Sequence, residues 1–190
     1  MSADFVHLNT HSYYSLMRGI MSPAELLRRV RERGMDTVAL TDRNGLYGLV
    51  RFLELAREEE VRPIVGAEIA NTMQAKNRGQ RAVLLAKNRE GYENLCRIVT
   101  ARHQDEEFDL ERAILAHAAG LVIMTDDRAL LEAGRDLPDR YAELRPAFEP
   151  YELHRWARER GIPCVATAGA YFATKEGASR AHPEDYAFHR

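Results

Sequence analysis

Polar side chains suited to chemistry lie near the start of the chain and at the ends of two apolar runs. His7, Asn9 and His11 alternate along a predicted strand, which places them on one face of it. Asp42 and Glu68 each follow a short apolar run, as is typical where parallel strands deliver side chains to the carboxyl edge of a sheet. Imidazole and carboxylate groups can move protons or bind metals. We expect these three stretches to converge on one site.

The elements that position these residues begin with a helix. Ser22-Pro23-Ala24-Glu25 is a capping box with proline at the first helical position, and Gly34 ends the helix that it starts. Strands are predicted at Thr37 to Leu40 and at Arg62 to Ile69, with a helix from Leu46 to Glu60 between them. The first third of the chain therefore predicts a strand, helix, strand, helix, strand pattern.

The same pattern continues after a polar stretch at 71–80, which predicts a loop or a short hairpin arm. The remaining predicted strands are Arg81 to Ala86, Leu121 to Met124, Tyr141 to Leu144 and Pro163 to Thr167, and the remaining helices are Glu90 to Arg102, Leu110 to Ala118, Ala129 to Ala133 and Pro150 to Arg160. Strands separated by crossover helices predict a parallel α/β sheet. About seven such units without a glycine-rich phosphate loop favour a closed or nearly closed (β/α)7 barrel, and an open doubly wound sheet is the alternative.

Composition restricts the classes of function. A net charge of −2 and a pI of 6.4 argue against tight nucleic-acid binding by electrostatics alone. The two cysteines, Cys96 and Cys164, form no CxxC pair, which favours buried free thiols in a reducing, cytoplasmic compartment. No apolar stretch is long enough to span a membrane, and no signal peptide is recognisable. We expect a single domain over residues 1–190, and the helix start at Tyr186 to Arg190 suggests the N-terminal fragment of a longer chain.

Several motifs resemble the polymerase and histidinol phosphatase (PHP) domain that opens the alpha subunit of bacterial DNA polymerase III and its error-prone relatives. Phe5 to Gly19 is similar to FxHLHxHSxYSLLDG, Ala39 to Gly48 to ALTDHGNLYG, and Pro63 to Glu68 to PIIGCE. Leu84 to Leu95 is similar to LLARNxxGYxNL, and Gly161 to Thr167 to GIPLVATND. The resemblance covers nearly the whole chain in order, and it implies a distorted PHP-type (β/α)7 barrel with parallel strands.

In metal-binding members of that family, histidines and carboxylates at the strand ends hold divalent metals that activate water for phosphoester hydrolysis. This chain departs from the family at most of those positions. Family ligands are replaced by Asn9, Arg18, Arg43, Arg81, Gly169 and Tyr171, whereas His11, Asp42 and Glu68 are retained. A further ligand falls near Thr125 to Asp127, although N-capping of a helix is the preferred role for Asp126 and Asp127.

His11 and Glu68 alone are too few to hold a divalent ion, so no cofactor is expected. Zn²⁺, Mn²⁺ or Mg²⁺ would require a different ligand alignment. Arg18, Arg43 and Arg81 would instead place permanent positive charge in the pocket and pair with Glu68 and with Asp42. The hypothesis is that guanidinium groups replace metal ions as the charge that holds this vestigial site together.

The resemblance implies a structural and interaction module rather than a hydrolase. Its implied partners are the polymerase body of the same parent chain and a proofreading exonuclease subunit, with DNA contacted only through the parent chain. Two alternatives remain open: a metal-dependent phosphoesterase or 3′-5′ exonuclease, and a phosphate-binding or other anion-binding module that uses the arginine-rich pocket.

Overall fold

The structure is a computed structural model that describes residues 5–16, 18–72, 79–146 and 150–171. The predicted helix start at 186–190 lies outside these ranges. Within the described residues, helices and strands follow one another as α1 (Pro23–Glu32), β1 (Thr37–Leu40), α2 (Leu49–Glu58), β2 (Arg62–Ala70), β3 (Arg81–Ala86), α3 (Arg89–Gln104), α4 (Leu110–His117), β4 (Leu121–Thr125), α5 (Arg128–Ala133), β5 (Arg140–Leu144), α6 (Pro150–Glu159) and β6 (Cys164–Ala166).

The boundaries of α1 follow from its local sequence. The Ser22 hydroxyl accepts a hydrogen bond from the Glu25 backbone N–H at 3.0 Å, and Pro23 occupies the first helical position. Gly34 lies just beyond the helix with a φ of +70°, a left-handed backbone conformation that residues other than glycine rarely adopt. The predicted helix is confirmed at both ends.

The six strands form one mixed sheet in the order in which they occur along the chain. The pairs β1–β2, β4–β5 and β5–β6 are parallel, but β3 runs antiparallel to both β2 and β4. The prediction of parallel strands throughout is therefore wrong for β3. The chain reverses direction between β2 and β3, and again between β3 and β4, where α3 and α4 lie. Most of the predicted loop or hairpin arm at 71–80 lies outside the described residues.

The segment 5–12 connects the two edges of this sheet. His7 bridges Val38 of β1, and Thr10 bridges Ala170 beyond β6. The backbone N–H of Ala170 donates to the Asn9 carbonyl at 2.9 Å, and the N–H of His11 donates to the Ala170 carbonyl at 2.8 Å. One segment therefore links β1 to the chain just beyond β6.

The predicted strict alternation along that segment is wrong for His7. Its side chain lines a cavity beside α1 together with Thr10, whereas Asn9 and His11 take part in a buried polar network at the sheet edge. Within the described residues this segment makes isolated bridges instead of a continuous ladder. Without a continuous ladder, nothing imposes the two-residue repeat of a regular strand on its side chains.

The apolar core of the domain lies between the helices and the sheet. The helices α1 and α2 pack with β1 in one core cluster, and α3 and α4 pack on β2, β3 and β4 in another. Gly91 of α3 lies so close to Gly120 that an added Cβ would overlap the Gly120 carbonyl oxygen. Cys96 and Cys164 are free thiols, partly rather than fully buried. No helix in the described ranges has the length and apolarity that crossing a membrane requires.

Candidate functional site

Charged side chains from several strands meet at one edge of the sheet. Glu68 lies near the end of β2, and Arg81 is the first residue of the oppositely directed β3, so the two are delivered to the same edge. Glu143 of β5 joins them, and all three side chains are buried. We call the following cluster the arginine centre: Arg43, Glu68, Arg81, Asp126, Glu143 and Arg145.

Glu68 is held by two guanidinium groups. Arg81 Nη1 donates a hydrogen bond to Glu68 Oε2 at 3.0 Å, and Arg43 Nη1 donates to Glu68 Oε1. Burial raises the pKa of Glu68, but the neighbouring charges, led by Arg81, outweigh burial and lower that pKa to about 2. Glu68, which is 1% exposed, is therefore a carboxylate anion at neutral pH.

Arg81 also reaches two further carboxylates. Its Nη2 donates to Glu143 Oε2, and its Nε lies 3.6 Å from Asp126 Oδ1. Arg145 donates to Asp126 Oδ2, and its Nε lies 4.0 Å from Glu143 Oε2. Burial lowers the pKa of Arg81, yet the three carboxylates around it raise that pKa by more, so its charge is permanent. One buried guanidinium thus faces three acidic side chains, and Arg43 and Arg145 supply the other two positive charges of the centre.

Glu143 and Arg145 are members of this centre that the sequence analysis missed. The available signal was a single carboxylate inside the run Tyr141 to Leu144, where an unpaired charge would be costly to bury. The N-cap prediction for residues 126 and 127 is confirmed for Asp127, which accepts a hydrogen bond from the Leu130 N–H at 2.8 Å. It is wrong for Asp126, whose carboxylate faces the arginines.

Asn9 and His11 extend the network from the arginine centre. Asn9 Nδ2 donates to Glu143 Oε1 at 2.8 Å, which turns its Oδ1 toward His11 Nε2, also at 2.8 Å. Burial is the main cause that lowers the pKa of His11 to about 4, and the charges of three arginines lower it too: Arg81, Arg43 and Arg18. The Glu68 charge acts the other way and raises that pKa. His11 is therefore a neutral imidazole at neutral pH, with its Nε2 facing the Asn9 amide oxygen and its Nδ1 3.1 Å from the Ser15 hydroxyl oxygen.

Asp42 belongs to a separate set of contacts. Its Oδ1 accepts hydrogen bonds from the Ser12 N–H and the Ser15 hydroxyl, and its Oδ2 accepts one from the Ser12 hydroxyl, each at 2.7 Å. Burial raises the pKa of Asp42 despite these hydrogen bonds. The predicted pairing of Asp42 with an arginine is wrong: in the described ranges it bonds to serines of the loop instead.

The remaining predicted site residues lie around His11. Tyr171 stacks on its imidazole with the ring centroids 4.1 Å apart and the planes 2° from parallel. Burial and the Glu68 charge raise the pKa of Tyr171 to about 12. Arg18 is half-buried and close enough to lower the pKa of His11, whereas Gly169 supplies a left-handed turn with a φ of +56°. The structure thus brings the positions of the aligned family ligands together at one edge.

Comparisons with known proteins agree with this architecture. The family model of the PHP domain matches residues 7–166, and the chain belongs to that family. It is 32% identical to an error-prone DNA polymerase from Mycobacterium bovis and 32% identical to the DNA polymerase III subunit alpha of Vibrio cholerae. Each match covers 90% of this chain, but only 19% and 18% of the respective relatives. The chain therefore spans about a fifth of the length of these polymerases.

A solved structure shows the same fold at low sequence identity. It is a two-domain protein from Bacteroides vulgatus that contains a predicted PHP-like metal-dependent phosphoesterase. The TM-score is 0.64 at 12% identity, over 93% of this chain and 55% of that chain. The described part of the present chain is accordingly a mixed α/β domain with a PHP-like sheet.

The side chains at this edge do not fit the divalent metals that the family implies. Glu68 and Glu143 already accept hydrogen bonds from guanidinium groups, and His11 Nε2 is turned to the Asn9 amide oxygen. In the described ranges no group of three or more His, Cys, Asp or Glu side chains is arranged to hold a metal ion. A cation entering the centre would meet the permanent charge of Arg81 before it reached a free carboxylate.

Proposed function

We propose that this chain is the PHP domain of a DNA polymerase III alpha-like or error-prone polymerase. In this proposal the segment 5–10 is the first strand of a closed, distorted (β/α)7 barrel, which the bridges from that segment to both edges of the sheet support. The match to polymerase relatives over 90% of the chain supports the parent protein.

Within that parent, we infer a structural role without phosphoester hydrolysis. The observation that carries this inference is the position of Arg81, whose guanidinium pairs with Glu68 and Glu143 and faces Asp126. A metal-dependent hydrolase needs ligands with free lone pairs and a cation that polarises water. Here a covalently attached cation takes up the carboxylates and offers no open coordination position, so the charges bind strands together instead of activating a nucleophile.

The same proposal assigns partners at the level of the whole protein. The polymerase body of the parent chain is the first partner, a proofreading exonuclease subunit is the second, and DNA is contacted through the rest of the parent. A cytoplasmic location follows from replication or translesion synthesis in a bacterium. The relatives' names support the polymerase body, because each relative is a polymerase about five times as long as this chain.

A metal-retention experiment tests the proposal. The 190-residue chain is incubated with excess Zn²⁺ and Mn²⁺, desalted and analysed for metal by mass spectrometry, alongside hydrolysis assays on p-nitrophenyl phosphate and single-stranded DNA. Retention well below one ion per chain and no metal-dependent hydrolysis are expected.

The opposite result would establish the rival hydrolase. One or more retained ions, lost together with hydrolysis in Glu68→Ala but kept in the matched control Glu54→Ala, would contradict the structural role. Glu54 suits this control because it is an exposed helical glutamate, paired only with Arg51 at 3.3 Å within the described ranges.

A further inference from the structure

A second polar feature lies outside the arginine centre, in a cavity between α1 and the segment 5–10. The cavity has a volume of about 90 Å³. Three basic residues, His7, Arg29 and Arg33, line it together with apolar side chains that include Leu26 and Val30. We call it the His7 cavity.

Two buried nitrogen atoms in the wall of the His7 cavity have no hydrogen-bond partner among the residues that the structure describes. They are His7 Nδ1 and Arg29 Nε. Arg29 is held in place by its Nη1, which donates to Glu32 Oε2 at 3.1 Å. Buried polar atoms are nearly always paired in native proteins, so two unpaired nitrogens beside one cavity indicate that the cavity holds polar contents, either water or a ligand with oxygen atoms.

The charge around the His7 cavity favours an anion. Arg33 and His7 line the cavity together. Burial lowers the pKa of His7, and the positive charge of Arg33 lowers it further. None of the described side chains that line the cavity is acidic. The wall therefore combines the charge of Arg33, the guanidinium of Arg29 that also pairs with Glu32, and an imidazole that can donate from a neutral ring.

The volume limits the size of the ligand. A single water needs about 10–15 Å³ of such space, so the His7 cavity has room for several waters or for one tetrahedral oxyanion. Arg33 is exposed and the Arg29 side chain is 34% exposed, so the cavity opens to solvent and a free anion can enter it. Guanidinium groups match the oxygen spacing of phosphate and carboxylate.

We propose that the His7 cavity binds a small free oxyanion of the phosphate type, held by His7, Arg29 and Arg33. Its wall includes Thr10 and Ala170, the two residues of the bridge beyond β6. The bound anion therefore sits between α1 and the junction of the sheet edges, and it stabilises that junction by mass action.

The test is a titration of the 190-residue chain with sodium phosphate at constant ionic strength, with sodium chloride as the balancing salt. Isothermal titration calorimetry measures affinity, and thermal denaturation measures stabilisation. We expect saturable binding at one site and a rise in the melting temperature. Arg33→Gln removes a charged hydrogen-bond donor from the cavity and should weaken phosphate binding by about tenfold.

Two matched variants keep this test specific. Arg31→Gln removes the same charge from an exposed position on the same helix that does not line the His7 cavity, and it should leave the affinity unchanged. Arg43→Gln changes the arginine centre and should also leave it unchanged. The absence of saturable binding, an equal loss in Arg31→Gln, or a loss confined to Arg43→Gln would each overturn the proposal; the last would place the anion in the arginine centre.

Discussion

Replacing Arg81 by methionine removes the charge that the arginine centre shares while keeping an unbranched side chain. Glu68 and Glu143 would remain buried with one fewer cation between them. Breaking a buried ion pair by removing one partner typically lowers the free energy of unfolding by about 3–5 kcal/mol. The net effect of burial and of all its charged neighbours, led by Arg81, lowers the pKa of Glu68 from its ordinary 4.5 to about 2, which corresponds to about 3 kcal/mol of stabilisation of the carboxylate. We therefore expect Arg81→Met to lower the free energy of unfolding by about 3–5 kcal/mol at pH 7.5.

The pH dependence of that loss distinguishes a charge effect from a packing effect. In the native chain the depressed pKa of Glu68 contributes stability that is complete above about pH 5 and disappears as the pH falls toward 2. In Arg81→Met burial would dominate and raise the pKa of Glu68, so the folded variant would lose stability as the pH rises. The difference between the two proteins is therefore largest near neutral pH and shrinks toward pH 4.

Urea denaturation followed by circular dichroism at pH 7.5 and pH 4.5 measures both quantities. Arg89→Met is the control, since the Arg89 side chain is 92% exposed and pairs with Glu93 on the surface of α3. That variant should change the free energy of unfolding by less than about 0.5 kcal/mol. If Arg81→Met lowers the free energy of unfolding by less than about 1 kcal/mol, or by the same amount at the two pH values, the charge of Arg81 does not hold this centre together.

Three further predictions concern stability. Arg43→Gln removes one of the two guanidinium partners of Glu68. Because the Arg43 side chain is 25% exposed, the free energy of unfolding measured in urea should fall by about 1 kcal/mol. Glu68→Gln should flatten the stability profile between pH 5 and 3, because the group whose depressed pKa creates the slope is gone; an unchanged slope, measured by thermal denaturation across that range, would contradict this origin. Gly91→Ala should lower the free energy of unfolding by more than about 2 kcal/mol, because its Cβ would overlap the Gly120 carbonyl oxygen. Gly34→Ala is the control for backbone strain alone, because an added Cβ there meets no described neighbour within 4 Å.

Local signals in the sequence were sufficient where neighbouring residues determine the structure. The capping box at Ser22 and the glycine at position 34 set both ends of α1 without help from the rest of the fold. The direction of β3 could not be obtained in this way. Strand direction depends on whether the connections before and after a strand return the chain to the same edge, and an apolar run reads the same in either direction.

The arginine centre also combines residues that local motifs identify with residues that only the folded structure brings together. The family motifs identified Glu68, Arg43 and Arg81 as positions that meet, because each lies within or next to a recognisable motif. Glu143 lies in a strand without such a motif, and its partners come from sequence positions as distant as Asn9. Only the folded arrangement of the strands shows that one carboxylate in β5 faces the same guanidinium as another in β2.

The sharing of Arg81 among three carboxylates also restricts how this domain can evolve. A metal site could arise at this edge only through several substitutions, because loss of Arg81 alone leaves the buried Glu68 and Glu143 without the guanidinium they share before any metal ligand has been gained. Loss of either carboxylate alone leaves the guanidinium with an excess charge in the same apolar surroundings. Each of these single substitutions therefore destabilises the fold, so we expect Arg81 and its carboxylate partners to change together rather than one at a time.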